Sequence, residues 1–232
     1  MSGPPITEFA RSDSTLAAMA PCMDQSHGAA ADAEWPDNII SGLAVAYESG
    51  VVARSGEIVR HAVDRDELAL CRTLAHEAAA IMAGVEVGMG SESSAHFSEF
   101  CVAANVDALR PERIDESIVR RAFGGTIFPP ATITVEPLKE AGIWWSEVVR
   151  DGEGQDDAYF APWRALIAWF EGQQALVDAA FIRIGDADAL SALRESEFPE
   201  GTEQPGCVLP RLPLGLTRAG SLVGLFGYAV QT

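Results

Sequence analysis

The chain has 232 residues and a formal net charge of −18, from 34 acidic and 16 basic residues. Such a charge opposes binding to nucleic acid or to an anionic membrane surface. Lys139 is the only lysine. Mechanisms that need a Schiff-base lysine, or a phosphate-gripping lysine after a glycine loop, are therefore strongly disfavoured.

The bulk composition predicts a folded protein with an acidic surface. Hydrophobic residues make up 48% of the chain and charged residues 22%, which is typical of a globular protein rather than a disordered acidic one. The four cysteines are scattered without a CxxC pair, as expected for reduced thiols. We see no secretory signal and no apolar run of the ~18 residues that a membrane-spanning helix needs. We therefore expect a soluble cytoplasmic protein that contacts neither membrane nor nucleic acid.

The first part of the chain predicts an irregular arm followed by a single domain. Residues 1–36 are rich in small residues, proline and aspartate without a sustained period, so we expect an irregular N-terminal arm. Residues 37–232 are predicted to form one compact α+β domain. Within Ile39 to Val63, alternating apolar residues on both sides of Glu48-Ser49-Gly50 favour a β-hairpin.

Three helices are predicted between residues 64 and 123. The first runs from Arg65 to Val87, with Asp64 as N-cap and Glu67 completing a capping box. The second runs from about Ala95 to Leu109, because Phe97, Cys101, Ala104 and Ala108 recur at helical spacing. The third begins at Pro111, a residue suited to the first helical position.

The remainder of the chain has a mixed texture. A short strand is predicted at Thr132–Val135, a helix at Pro162–Glu171, a strand at Val177–Ile184 and a terminal β-hairpin of Cys207–Leu216 with Leu222–Val230. Pro210 and Pro213 should confine the first hairpin strand to a sheet edge or an irregular path. The expected fold class is α+β: a helical N-terminal half, about 64–123, packed on a mixed C-terminal half that ends in a hairpin.

A metal site is the first candidate for chemistry. Cys71, His76, His96 and Cys101 are placed symmetrically about residue 86, but five helical residues separate each cysteine from its histidine by ~7.5 Å along the axis and ~140° around it. One tetrahedral ion cannot be bound by four ligands so placed. A narrower carboxylate and imidazole site is predicted instead, consisting of His76, Glu77, His96 and Glu99. The H-E-x-x-H motif of zinc hydrolases is absent.

An aromatic cluster between residues 144 and 170 is the second candidate. It is explained as a second hydrophobic core, as a partner-binding surface, since tryptophan and arginine often anchor interfaces, or as a small-molecule pocket. Trp163 and Trp169 are six residues apart and cannot share one narrow helical face, so contact beyond the core is favoured. The predicted partner-binding residues are Trp144, Trp145, Trp163, Arg164 and Trp169.

These patterns together favour a binding protein over an enzyme. We find no G-x-S-x-G elbow, P-loop or dinucleotide fingerprint, and the glycines between Gly215 and Gly227 are better explained by close strand packing. We expect an accessory protein that binds a protein partner or forms a homo-oligomer, with no cofactor. The alternative is a small enzyme that uses a divalent metal at His76, Glu77, His96 and Glu99.

Overall fold

The computed structural model describes residues 45–46, 52–53, 64–92, 95–104, 110–122, 131–138, 145–186, 188–189, 192, 194, 196 and 208–230. In these residues, helices cover both faces of a five-stranded antiparallel sheet. The α+β class is confirmed, as is the terminal hairpin. The predicted arm 1–36 lies outside the described residues, and the single domain over 37–232 stays a prediction.

The described elements follow one another in a simple order. They are β1 (Val45–Ala46), β2 (Val52–Ala53), α1 (Arg65–Ile81), β3 (Ser98–Val102), α2 (Glu116–Ala122), β4 (Ile133–Pro137), α3 (Ser146–Asp151), α4 (Asp157–Gly172), β5 (Leu176–Ile184), β6 (Val208–Thr217) and β7 (Leu222–Val230). Strands β1 and β2 pair antiparallel, as the predicted N-terminal hairpin requires. The large sheet has the strand order β3-β7-β6-β5-β4.

Helix α1 begins where the sequence predicts and ends earlier. Asp64 is the N-cap, and its carboxylate accepts hydrogen bonds from the backbone of Asp66 and Glu67. The Glu67 side chain does not complete a capping box, because it accepts a hydrogen bond from Thr217 Oγ1 at the end of β6. The helix ends at Ile81, not at Val87. Its N-terminal turn is thus tied to the terminal hairpin.

The predicted helix at 95–109 is wrong where the structure describes it. Ser98–Val102 is strand β3, which pairs antiparallel with β7 at the edge of the sheet. Phe100, Cys101 and Val102 are all buried, because both faces of this strand are covered. A strand buried on both faces shows no polar alternation, so its apolar residues can match a helical period by chance.

Two other helices begin at a different residue from the one predicted. Helix α2 begins at Glu116 rather than Pro111, and Asp115 accepts hydrogen bonds from the Ile118 backbone and the Ser117 hydroxyl. Helix α4 begins at Asp157, five residues before Pro162, with Asp156 as N-cap. In both cases an aspartate cap immediately precedes the first helical residue. The cap therefore predicts the start of the helix better than the proline does.

The terminal hairpin is central to the sheet. Strand β6 lies between β5 and β7 in the middle of the five strands, so the predicted edge position is wrong. Pro210 is paired with Tyr228 of β7 but lies beyond the last β5–β6 pair, Arg183↔Arg211. On the β7 side of Pro213 there is a local gap, since the β6–β7 register runs to Arg211↔Gly227 and resumes at Leu214↔Gly224. Pro213 has no N–H to donate, and it falls within this gap.

The sheet separates two apolar layers. One face carries Phe100, Ile182 and Leu214 against Ile118 and Val119 of α2. The opposite face lies under α1, α3 and α4, whose buried residues include Ala78, Val148 and Leu166. Because side chains alternate along each strand, Phe181 and Arg183 of β5 both lie on this second face. That alternation places charged side chains beside a hydrophobic layer.

Candidate functional site: an arginine-lined cavity

The described part of the aromatic cluster is mainly hydrophobic core. Trp145 and Trp163 are 2% and 1% exposed. Trp145 stacks on Phe181 with ring centroids 5.0 Å apart, and Trp163 meets the edge of Phe97 at 5.5 Å. Burial of large aromatic side chains contributes strongly to the folding free energy. These two tryptophans stabilise the layer between α4 and the sheet.

The other members of the cluster are more accessible. Trp169 is partly buried, and its indole N–H donates a hydrogen bond of 3.0 Å to Glu77 Oε2. Arg164 is exposed and forms an ion pair of 2.8 Å with Asp157. Trp144 lies outside the described residues. Trp169 nevertheless packs against the same hydrophobic cluster in which Trp163 is buried, and the partner-binding role of these residues stays a prediction.

The residues predicted to bind a metal are not gathered in one place. His76 Nδ1 lies 2.7 Å from Glu99 Oε1, whereas His96 Nδ1 is 3.1 Å from the backbone oxygen of Val85. Glu77 accepts hydrogen bonds from two side chains of α4, Trp169 and Gln173. Within the described ranges, no group of three or more His, Cys, Asp or Glu residues is placed to hold one ion.

The reason is the mismatch between helix and strand rise. Cys71 and Cys101 do lie in one buried cluster, as the symmetric numbering suggests. Moving five residues along α1 to His76 covers ~7.5 Å, and two residues along β3 to Glu99 cover ~6.6 Å. His76 therefore meets Glu99 and not His96, because the second element is a strand.

A polar cavity lies on the α3 side of the sheet, near β4. Its volume is about 390 Å³. Its lining includes the three arginines Arg150, Arg183 and Arg211, and the three carboxylates Glu147, Asp186 and Asp188. We call it the arginine cavity. In a chain with more than two acidic residues for each basic one, a cavity lined by equal numbers of arginines and carboxylates is locally enriched in positive side chains.

Strand register brings two of these arginines together. Arg183 of β5 is directly opposite Arg211 of β6, and Thr134 of β4 is opposite Arg183 on the other side. The three side chains form a row across three strands and all line the cavity. Like charges in directly opposed positions destabilise a sheet. The repulsion between Arg183 and Arg211 is therefore an unfavourable contribution to stability at one end of the cavity.

Glu147 of α3 partly neutralises the row. Its carboxylate contacts Arg211 at 2.6 Å (Oε2 to Nε) and 3.0 Å (Oε1 to Nη2), and Oε1 lies 3.4 Å from Arg150 Nη2. The side chains of Glu147 and Arg211 are 2% and 3% exposed, whereas that of Arg150 is 69% exposed. The 2.6 Å contact is an ion pair without hydrogen-bond alignment, since neither atom has a hydrogen-bond partner. One carboxylate thus balances two guanidinium groups.

The burial of Arg211 and the charges around it change its pKa. Burial lowers the pKa of Arg211 below its ordinary value, and Glu147 opposes that change. Arg183 and Arg150 lower it further. These effects on the pKa of Arg211 agree with the geometry. The negative charge of Glu147 attracts the protonated guanidinium group, whereas the positive charges of Arg183 and Arg150 repel it.

Arg183 has unused hydrogen-bonding capacity. Its Nη2 lies 3.0 Å from Glu136 Oε1, but its Nε is buried and has no hydrogen-bond partner among the described residues. A buried donor without an acceptor costs about 1–3 kcal/mol. An oxygen-bearing ligand in the cavity would remove that cost if it reached Nε.

The arginine cavity was not predicted from the sequence, although a signal exists. Arg183 interrupts the run Ala179-Ala180-Phe181-Ile182 before Ile184, and Arg211 lies between Pro210 and Leu212. A charged residue within an apolar strand that ends up central must be paired or functional. Their opposition could not be seen from sequence, because it depends on which strands are neighbours.

Comparison with protein-family models and with curated proteins identifies no relative of this chain. No protein-family model matches it, and no curated protein is significantly similar to it. In the described residues, no helix is both long enough and apolar enough to cross a membrane. Function must therefore be inferred from the geometry of the arginine cavity.

Proposed function

We propose that this protein binds a small ligand bearing a carboxylate or a phosphate, and that the arginine cavity is its binding site. The observation that carries the proposal is the cross-strand pair Arg183 and Arg211 with Arg150 nearby, balanced at its centre by Glu147. Guanidinium groups offer planar, paired donors that fit the oxygens of carboxylates and phosphates.

The lining supports binding rather than catalysis. The described lining residues include Thr132 and Thr134 but no histidine, cysteine or lysine, so they offer no activated nucleophile with an adjacent base. The volume is within the range of small-molecule sites, roughly 300–1,000 Å³. Arg150 is the accessible arginine and would meet a ligand first. Arg183 would contact it deeper in the cavity.

Binding of inorganic phosphate and acetate to the full chain tests the proposal by isothermal titration calorimetry. Arg183→Gln should weaken the binding of at least one of these anions tenfold or more, because it removes the donors that face the cavity. Arg164→Gln is the matched control, since that arginine pairs with Asp157 on α4 and does not line the cavity. It should leave affinity within twofold.

Two results would contradict the proposal. One is the absence of binding by the wild-type chain at millimolar anion. The other is an equal loss of affinity in Arg183→Gln and Arg164→Gln, which would indicate a general effect of surface charge. Circular dichroism spectra of both variants should match the wild type, so that affinity is compared between folded proteins.

The protein-partner role predicted from the sequence stays a prediction. Among the described residues, Val149 is the exposed large hydrophobic side chain, at 45%. Interfaces usually centre on buried aromatic and aliphatic anchors, and Trp145 and Trp163 are already used in the core. The geometry therefore supports ligand binding more strongly than a protein interface on this part of the surface.

A further inference from the structure

Resting on the proposed role of the arginine cavity, we propose that its ligand is a zwitterion with the chemistry of a free amino acid. Its carboxylate meets Arg150 and Arg183, and its ammonium group meets Asp186. The lining presents both signs of charge around one cavity, with arginines and carboxylates on α3 and at the end of β5.

The carboxylates of the cavity fall into two groups. Glu147 is committed to Arg211 and Arg150, and it balances the floor of the cavity. Asp186 belongs to the segment that follows β5, and its Oδ1 accepts a hydrogen bond of 3.0 Å from the Ala189 backbone. Asp186 is thus held by its own turn rather than by an arginine. It supplies negative charge on the same cavity.

The position of Asp186 is fixed relative to Arg183. Gly185 donates a backbone hydrogen bond of 2.8 Å to Thr132, which binds the end of β5 to the residue before β4. Arg183 precedes this anchor by two residues and Asp186 follows it by one. Side chains anchored on both sides of a backbone contact are preorganised, which lowers the entropic cost of binding. A guanidinium and a carboxylate are therefore held beside one small volume.

The charge of the whole chain also favours a zwitterion. A net charge of −18 repels a ligand of net negative charge beyond the first contacts, with a screening length of about 8 Å at physiological salt. A ligand with equal positive and negative charge avoids this repulsion. It still offers the arginines an oxyanion. A volume of about 390 Å³ is sufficient for a compact molecule of this kind.

The experiment compares matched probes by isothermal titration calorimetry on the full chain. The twenty free L-amino acids are tested one by one, and the tightest is compared with its N-acetyl and methyl-ester derivatives. Acetate and inorganic phosphate serve as plain anions. Loss of either charge should weaken binding at least tenfold. The resonance of Arg183 Nε–H should shift on addition of the free amino acid, because the surroundings of that guanidinium group change.

Variants assign the ammonium end of the site. Asp186→Asn retains an oxygen that can accept from Ala189, so the turn should persist. It should weaken binding of the free amino acid tenfold or more and leave acetate affinity within twofold. Asp157→Asn, which alters an exposed aspartate on α4 outside the cavity, should change neither affinity.

The outcomes separate this inference from the proposed function. If acetate or phosphate binds in an Arg183-dependent way, and the free amino acids bind no better than their N-acetyl derivatives, the zwitterion is overturned and the anion site stands. The zwitterion is likewise overturned if no amino acid binds or if Asp186→Asn has no selective effect. If no probe binds in an Arg183-dependent way, both proposals fail.

Discussion

Arg211 is a charged side chain at the centre of the sheet, and Glu147 is what makes its burial tolerable. The two side chains meet through both carboxylate oxygens, and Arg211 Nη1 donates a further hydrogen bond of 3.0 Å to the backbone oxygen of Pro210. Buried ion pairs contribute little net stability compared with a hydrophobic pair of the same size. Their role is positional, and here the pair fixes α3 over the sheet.

Removing Glu147 alone should therefore be costly. Glu147→Ala leaves Arg211 buried without its counter-charge, and we expect a loss of about 3–5 kcal/mol in the free energy of unfolding. The double variant Glu147→Leu with Arg211→Met should recover most of the loss, because no charge remains buried. Urea denaturation followed by circular dichroism measures both.

A control is available on α2. Glu116→Ala removes the exposed i,i+4 partner of Arg120 and should cost about 0.5 kcal/mol or less. A cost below about 1 kcal/mol for Glu147→Ala would show that water reaches Arg211 readily. The pair could then not be the anchor of α3.

The surroundings of some residues can be predicted from the sequence and those of others cannot. Helical geometry predicts that one of Trp163 and Trp169 points away from the core that the other fills. Instead, Trp169 packs against the cluster in which Trp163 is buried, and its indole N–H is bonded to Glu77. Arg183 and Arg211 lie on separate strands, and their pairing required knowledge of which strands are neighbours. Local pattern carries no information on such pairing, so the cavity could not be predicted.

At the scale of elements, strand β6 is unusual because it holds a central position despite two prolines. Its neighbour β7 accommodates it at Gly224, which pairs with Leu214 and has φ of +156°. A Cβ at Gly224 would lie 2.3 Å from the backbone oxygen of Pro213. The backbones of β6 and β7 therefore approach each other closely at Gly224. Gly215 and Gly227 also have close neighbours, which agrees with the prediction that close strand packing explains the glycines of the hairpin.

Gly224→Ala should destabilise the protein by about 1–3 kcal/mol, because the new methyl group meets backbone that cannot move aside easily. Gly172→Ala is the matched control. Gly172 ends α4, and a Cβ there would meet nothing within 4 Å, so the change should be neutral or stabilise by up to about 1 kcal/mol. Thermal unfolding of the two variants provides the measurement. A smaller effect for Gly224→Ala than for Gly172→Ala would exclude tight backbone contact between β6 and β7.

Helix α1 and the terminal hairpin are the elements that agree best with the sequence-based prediction. Helix α1 has Asp64 before a single apolar stripe, and its start is correct. Strand β3 is buried on both faces and was predicted as a helix. For strand β6 the prolines predict an edge position or an irregular path, because proline normally disrupts a central strand. Tertiary burial overrode the local rule in both strands.

At the scale of the whole molecule, α1 and the terminal hairpin depend on each other. Helix α1 lies over β3 and β7, and Cys71, Leu74 and Ala75 pack against Cys101 and Val223. Both cysteines are reduced and buried, as the sequence predicts for core cysteines. Burial raises the pKa of the Cys71 thiol, and Cys101 adds to that effect. Little reactive thiolate is therefore present in the folded state.

Thiol labelling should consequently report how the molecule unfolds. In a Cys22→Ser, Cys207→Ser background, Cys71 and Cys101 should react with a disulfide reagent at least about a thousandfold more slowly in the native protein than in urea, as a typical folding free energy implies. Both should be labelled at the same rate, because separating α1 from the sheet exposes both sides of one cluster. Mass spectrometry of peptides from a time course distinguishes the two sites.

Hydrogen exchange gives the corresponding opening free energy for the amide hydrogens of β5 and β6. A lower opening free energy at Cys71 and Cys101 than at those amides would show that α1 detaches while the central strands remain paired. In that case the cysteine cluster would be a local contact, and the cohesion between the N-terminal helix and the C-terminal hairpin would be weaker than the burial of these thiols indicates.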